Sequence, residues 1–216
     1  MVNDVSISGY SIRQCKRADC SLRYPIVKGH LFGFSCPNCG SETKEVLAKA
    51  LYPEPEDNPI SRMRYEIDTL LDNVRSAWNV GSILRSAEGL GVCHLYLCGI
   101  TPTPENTKVA KTSLGAEKKL SWSKHTNGVN TAIELKKKGR SLWALERDER
   151  SIAFQKVLDL RNEKTIVLVV GNEISGVDPA ILELCEQTVH IPMAGQKRSF
   201  NVAVAYGIAV YTIMFG

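Results

Sequence analysis

Four of the seven cysteines in the 216-residue chain fall within its first forty positions, as Cys15-x4-Cys20 and Cys36-Pro-Asn-Cys39-Gly40. Two short-spaced pairs separated by fifteen residues have the spacing of a tetrahedral thiolate site for zinc. Gly40 permits the tight turn that lets neighbouring amides face the thiolates. A pair of disulfides is the rival reading, but nothing in the sequence points to an oxidising compartment. Four thiolates would close the coordination sphere, so the expected site is a structural zinc ribbon on Cys15, Cys20, Cys36 and Cys39 that does no chemistry itself. Cys93, Cys98 and Cys185 lie in apolar stretches and read as small core residues.

Three further segments carry polar residues that a plain core would not need. In Asn79-Val-Gly-Ser-Ile-Leu-Arg85 a strand end enters a helix. Asn79 reads either as a helix cap or as a functional amide. Arg85 falls two turns along, near the buried side, among Ile83, Leu84 and Ala87, where an arginine needs a partner. The second segment, VVGNEISGVD, runs a strand into Gly171, Glu173 and Gly176. Its glycines fit either a close approach of backbone to a ligand or a bare turn. The third, IPMAGQKRSFN, ends one strand and opens the last helix through Ser199 and Asn201. Free amides at that helix start, beside Lys197 and Arg198, suit an anion.

Charge adds a partner class. The formal net charge is +4, and four thiolates with a divalent ion would lower it to about +2. The total therefore argues little, and its distribution argues more. Arg13, Lys16, Arg17, Arg23 and Lys28 gather around the first cysteine pair, and Lys108, Lys111, Lys118 and Lys119 form a second cluster. Such patches suit phosphate backbones. Lys136, Lys137, Lys138 and Arg140 read more simply as a solvated helix end favoured by its dipole.

The elements that would position these residues form two domains. Residues 1–50 hold the ribbon. Residues 51–63 contain LYPEPEDNPI, a semi-stiff linker rich in proline and acid. Residues 64–216 alternate strand and helix: strands at EIDTLL, CHLYLCG, SLWALE, TIVLVVG and TVHIPM, helices at VGSILRSAEGLG, TAIELKKKG, DPAILELCE and NVAVAYGIAVYTIMF. The alternation predicts an α/β fold, a parallel sheet with helices on both faces. In such sheets ligands bind beyond the carboxyl ends of the strands, where the polar segments lie. The longest apolar run, Val202 to Phe215, falls short of the ~20 residues a membrane span needs. The N-terminus has no charged start followed by an apolar stretch, so a cytoplasmic protein with no membrane contact is expected.

Together and in this order, the three polar segments resemble the SpoU–TrmH family of RNA 2′-O-ribose methyltransferases. The resemblance covers roughly Arg64 to Gly216 and includes KVAKTSLGAEKKLSW. Asn79 and Arg85 match the family's first motif, Gly171, Glu173 and Gly176 its second, Ser199 and Asn201 its third. Phe200 stands where the family usually has leucine. The resemblance implies a C-terminal trefoil knot, S-adenosylmethionine (SAM) as cofactor, tRNA or rRNA as partner, and a homodimer with its sites near the subunit interface. It implies a cofactor pocket lined by Leu145, Gly171, Ile191, Met193, Ser199 and Phe200. It also implies that Arg85 acts on the ribose hydroxyl. A guanidinium stays protonated at any ordinary pH, so phosphate binding and orientation of the hydroxyl is the preferred role. Glu173 would hold the loop or take the proton through water, while Asn79, Ser199 and Asn201 fix the geometry. Methylation of a base nitrogen on the same fold, and RNA binding without catalysis, are the rival readings.

Overall fold

The computed structural model describes residues 9–27, 30–50, 65–154, 156 and 165–216. The chain divides into two compact units, Met1–Ser61 and Arg62–Gly216. The linker expected at 51–63, and Lys28 of the first basic cluster, lie outside the described residues.

In the first unit, strands β1 (Gly9–Cys15), β2 (Arg23–Val27) and β3 (Thr43–Ala50) form an antiparallel sheet in the order β2-β1-β3. After Thr43, every residue of β3 is exposed. The buried residues of this unit include Ser11, Cys15, Cys36 and Thr43. Polar bonds tie the sheet to the turn that crosses it. Arg13 Nε donates to Thr43 Oγ1 at 2.8 Å, and that hydroxyl donates to the Gly33 carbonyl at 2.7 Å.

The second unit is built on seven parallel strands: β4 (Glu66–Asp72), β5 (His94–Cys98), β6 (Ser121–His125), β7 (Ser141–Leu145), β8 (Ile152–Ala153), β9 (Thr165–Val170) and β10 (Gln187–His190). Their order is β6-β5-β4-β9-β7-β10-β8, and all six pairings are parallel. Side chains alternate between faces along each strand. Ile166, Leu168 and Val170 of β9 therefore pack with α1 (Ala77–Gly89), α2 (Thr107–Ser113) and α5 (Val202–Phe215). Val167 and Val169 pack with α3 (Gly128–Lys137) and α4 (Pro179–Leu182). Helices thus cover both faces, as the alternation predicts. Tyr206 of α5 is fully buried and shares a 3.0 Å hydrogen bond with Thr69 of β4, which satisfies both hydroxyls in an otherwise apolar layer.

Some elements differ from the sequence reading. The helix expected over 178–186 is a single turn, α4, capped by Asp178, whose side chain accepts from the Ala180 amide at 2.8 Å. Bonds to the third residue back, from Leu184 and Cys185, then tighten the chain out of the helix. Strand β6 and helix α2 have no counterpart in that reading. Cys93 is exposed rather than a core residue, whereas Cys98 is buried and Cys185 half-buried. Among the described residues, no helix is long and apolar enough to cross a membrane.

Candidate active site

A cavity of about 400 Å³ opens beyond the carboxyl ends of β7, β9 and β10. Its volume lies within the ~300–1,000 Å³ of small-molecule sites. Leu145, Gly171, Ile191, Met193, Ser199 and Phe200 all line it, so three segments far apart in sequence meet there. Strand β10 ends at His190, which leaves Ile191 and Met193 in the loop past the strand rather than within it.

A chain of side-chain bonds joins the three polar segments beside this cavity. Asn201 caps α5: its side-chain oxygen accepts from the Ala203 amide at 2.9 Å, and its Nδ2 donates to Asn79 Oδ1 at 3.1 Å. Asn79 Nδ2 in turn donates to Glu173 Oε1 at 2.9 Å. The Glu173 carboxylate also accepts from the backbone amides of Arg75 at 2.9 Å and Ser76 at 3.0 Å, at the start of α1, where a helix dipole favours negative charge. Burial pushes the Glu173 carboxyl up, but the Arg75 amide, the Asn79 side chain and the Ser76 amide outweigh it. The group therefore sits below the ordinary glutamate value. Asn79 is not the cap of α1, as one sequence reading held. Ser76 is the cap, accepting from the Asn79 amide at 3.3 Å, which frees the Asn79 side chain for Glu173 and Asn201.

Arg85 is placed differently from expectation. It is exposed and is not among the residues lining the cavity. Ile83, Leu84 and Ala87 are buried, but at about 100° per residue Arg85 points away from the side they share, roughly 120° around α1 from Asn79. It shares an exposed helix face with Trp78, seven residues earlier.

The glycines of the second segment serve the loop itself. Gly176 has φ +73°, in the left-handed region. A Cβ on Gly171 would collide with the backbone of Gly176 and Val177. A two-way backbone pairing of Asn172 with Gly176, 2.9 Å in each direction, closes the turn. A larger residue at 171 would thus disturb the loop as well as whatever the cavity holds.

Glu146, Arg147 and Arg198 line the same cavity; the sequence reading assigned Glu146 and Arg147 no part in the site, and Arg198 only a place beside an anion. The available signal was the position of Glu146, directly after the buried strand SLWAL.

In the first unit, the Sγ atoms of Cys15, Cys20, Cys36 and Cys39 all lie within 4.8 Å of one another. The Cys15–Cys39 and Cys20–Cys36 separations are 3.5 and 3.7 Å. Those distances are too long for a disulfide at about 2.05 Å and match the ~3.8 Å edge of a tetrahedron with ~2.3 Å metal–sulfur bonds. Asn38 Nδ2 donates to Cys20 Sγ at 3.4 Å.

Comparison with known proteins places this geometry. Residues 67–211 match the SpoU rRNA Methylase family. The chain is 32% identical over 152 residues to the tRNA (guanosine(18)-2'-O)-methyltransferase of Aquifex aeolicus, covering 70% of each protein. It is 26% identical over 211 residues to the 23S rRNA (guanosine-2'-O-)-methyltransferase RlmB of Vibrio parahaemolyticus, covering 98% of this chain and 80% of that one. The AdoMet-bound rRNA methyltransferase from Sinorhizobium meliloti has the same fold, with a TM-score of 0.64 at 25% identity, over 71% of this chain and 57% of that one. The A. aeolicus TrmH/SpoU tRNA modifying enzyme gives a TM-score of 0.61 at 31% identity, over 70% of this chain and 76% of that one. The chain thus spans little more than half of the Sinorhizobium protein, though most of the other three. With its seven parallel strands, its cavity at their carboxyl ends and three motifs converging there, the chain belongs to the SpoU rRNA methylase family.

Proposed function

We propose that this protein moves a methyl group from SAM to a ribose 2′-hydroxyl of tRNA or rRNA. The relatives named as guanosine 2'-O-methyltransferases act on both RNA classes. The observation that carries the reading is the hydrogen-bonded series Asn201–Asn79–Glu173. It ties together residues from all three polar segments beside one cavity.

The residues fit the cofactor's chemistry. The cavity offers apolar side chains from Leu145, Ile191, Met193 and Phe200, backbone at Gly171, and the Ser199 hydroxyl. These would hold SAM, which supplies an electrophilic methyl group on a sulfonium. The chain's own task is then to bind, orient and exclude water. Asn79, Ser199 and Asn201 fix the geometry. Three N–H donors already engage the Glu173 carboxylate, which supports a positioning role over that of a general base. Arg85, exposed on α1, is free to grip an RNA phosphate with its planar fork and to orient the adjoining hydroxyl. Lys108, Lys111, Lys118 and Lys119 are exposed and extend the positive surface. Lys119 shares a 4.0 Å contact with Glu88, and Lys136 and Arg140 of the third cluster are occupied by Glu186, Glu66 and Asp68.

The reading includes a ribbon over 1–50 with one structural zinc on Cys15, Cys20, Cys36 and Cys39, supported by their mutual distances. A linker over 51–63 and a methyltransferase domain over 64–216 complete it. A trefoil knot in the C-terminal part is supported by the sheet order, in which β10 inserts between β7 and β8, both laid down earlier in the chain. The reading also places the protein in the cytoplasm as a homodimer, and the stripe Val204, Ile208, Tyr211 and Phe215, exposed along one side of α5, supports the homodimer.

Mapping 2′-O-methyl and base-methyl sites in total RNA with and without the gene tests the function. Loss of one or a few ribose methylations is expected. Loss of a base methylation instead would favour the base-nitrogen reading, and an unchanged map would favour RNA binding without catalysis.

A further inference from the structure

We propose that Glu146 selects the charged, methyl-loaded cofactor over its neutral thioether product, acting as a specificity-determining residue of the cavity. The proposal rests on the reading of that cavity as the SAM site.

Glu146 follows the last residue of β7, and its amide donates to the Val189 carbonyl at 3.0 Å. The backbone is therefore fixed where β7 meets β10. The side chain lines the cavity. Oε1 accepts from the Arg147 amide at 3.0 Å and Oε2 from the Val177 amide at 3.1 Å. A Cβ on Gly176 would collide with Oε2, so the carboxylate lies directly against the loop of the second motif. Each oxygen has accepted one bond and keeps acceptor capacity.

The other acid lining the cavity is Glu173. Its carboxylate faces the start of α1 and is engaged by three donors. Among the cavity's acids, Glu146 is the less occupied and stays oriented by two backbone amides. Arg147 and Arg198 there are exposed, Arg147 Nη1 donates to the Arg198 carbonyl at 3.5 Å, and the His190 ring, also in the lining, shares a 2.9 Å hydrogen bond with the Ser151 hydroxyl. The cavity is thus negative at the β7 end and positive at its rim. SAM and its product share the adenosine and amino-acid parts and differ by one methyl group and one positive charge at sulfur. An oriented carboxylate in a partly desolvated site favours the member of the pair that carries that charge. The same preference would ease release of product after transfer.

Calorimetric titration of the full chain with SAM and with S-adenosylhomocysteine tests this in wild type, Glu146→Gln and Glu146→Asp. In Glu146→Gln, SAM affinity should fall about tenfold and product affinity by no more than about twofold. Glu146→Asp keeps the charge while shortening the reach to the Val177 amide, so it should retain most of the preference for SAM. An equal loss for both ligands in Glu146→Gln, or no loss for either, would overturn the proposal. The equal loss would make Glu146 a mere buttress of the loop. Should Glu146→Gln fail to fold, a Glu146→Asp variant that loses the preference while binding product normally would overturn it too. A cavity-filling Ile191→Trp variant that binds SAM as wild type does would instead remove the cavity assignment itself.

Discussion

Asn201 donates its side-chain amide to Asn79 across 122 positions of the chain, at 3.1 Å. The residue that caps the last helix thereby fixes the amide of a residue in the first helix of the sheet domain, and that amide's other end is bound to Glu173. Asn79→Ala removes both bonds and leaves acceptor and donor to water, at a cost of about 1 kcal/mol for such half-exposed groups. Asn79→Asp should cost more, because it sets a carboxylate against that of Glu173. Chemical denaturation of the three proteins should rank them wild type, alanine, aspartate. Methyl transfer should fall in both variants.

The Glu173 carboxyl is held below its usual range, and this has a direction in pH. A group whose folded pKa is depressed contributes stability above its unfolded value, about 4.3, and loses it as pH falls through the lower folded value. Glu173→Gln lacks that charge. The stability gap between wild type and Glu173→Gln should therefore be full at neutral pH and shrink below about pH 4. A gap unchanged between neutral and acid pH would show that the carboxylate's charge contributes nothing.

The four cysteines should hold one zinc per chain, measured by elemental analysis of protein purified without added metal. Domains of this small size commonly depend on such a staple, so chelation should unfold the ribbon. SAM affinity should stay within about twofold, and a chain lacking the residues before Arg64 should fold and bind SAM. Two disulfides among these cysteines would contradict the zinc reading.

Arg85 is exposed, so Arg85→Ala should leave the melting temperature nearly unchanged, as surface substitutions usually do. It should also leave SAM affinity near normal while abolishing single-turnover transfer. Arg85→Lys keeps the charge but not the planar fork and should recover little. Full activity in the lysine variant would mean that a point charge suffices.

Legibility in the sequence followed physical locality. TIVLVV announces a strand buried on both faces because its pattern needs no partner to be recognised. SWSKH does not, because β6 is an edge strand. Its Ser121, Ser123 and His125 turn to one side, where they bond His94 and one another, and no apolar period marks it. The polar residues of the three motifs could be picked out singly. Their pairing could not, since Asn79 meets Glu173 94 positions away, and only the sheet order brings them together. For the same reason type alone leaves the role of Asn79 open: Asn79 and Ser76 are both good caps, and the bonds of the Asn79 side chain to Glu173 and Asn201 decide between them. Buried neighbours in sequence do not place Arg85 near the buried side, because a helix turns each successive side chain by about 100°.

Methyl transfer to ribose is the reaction that all of these residues are held to serve. RNA incubated with the purified protein and SAM labelled in its methyl group, then digested to nucleosides and separated, tests it most directly. Label is expected on 2′-O-methylated nucleosides, and its loss in Arg85→Ala. Label on a base nitrogen, or none with an RNA that the protein binds, would contradict it.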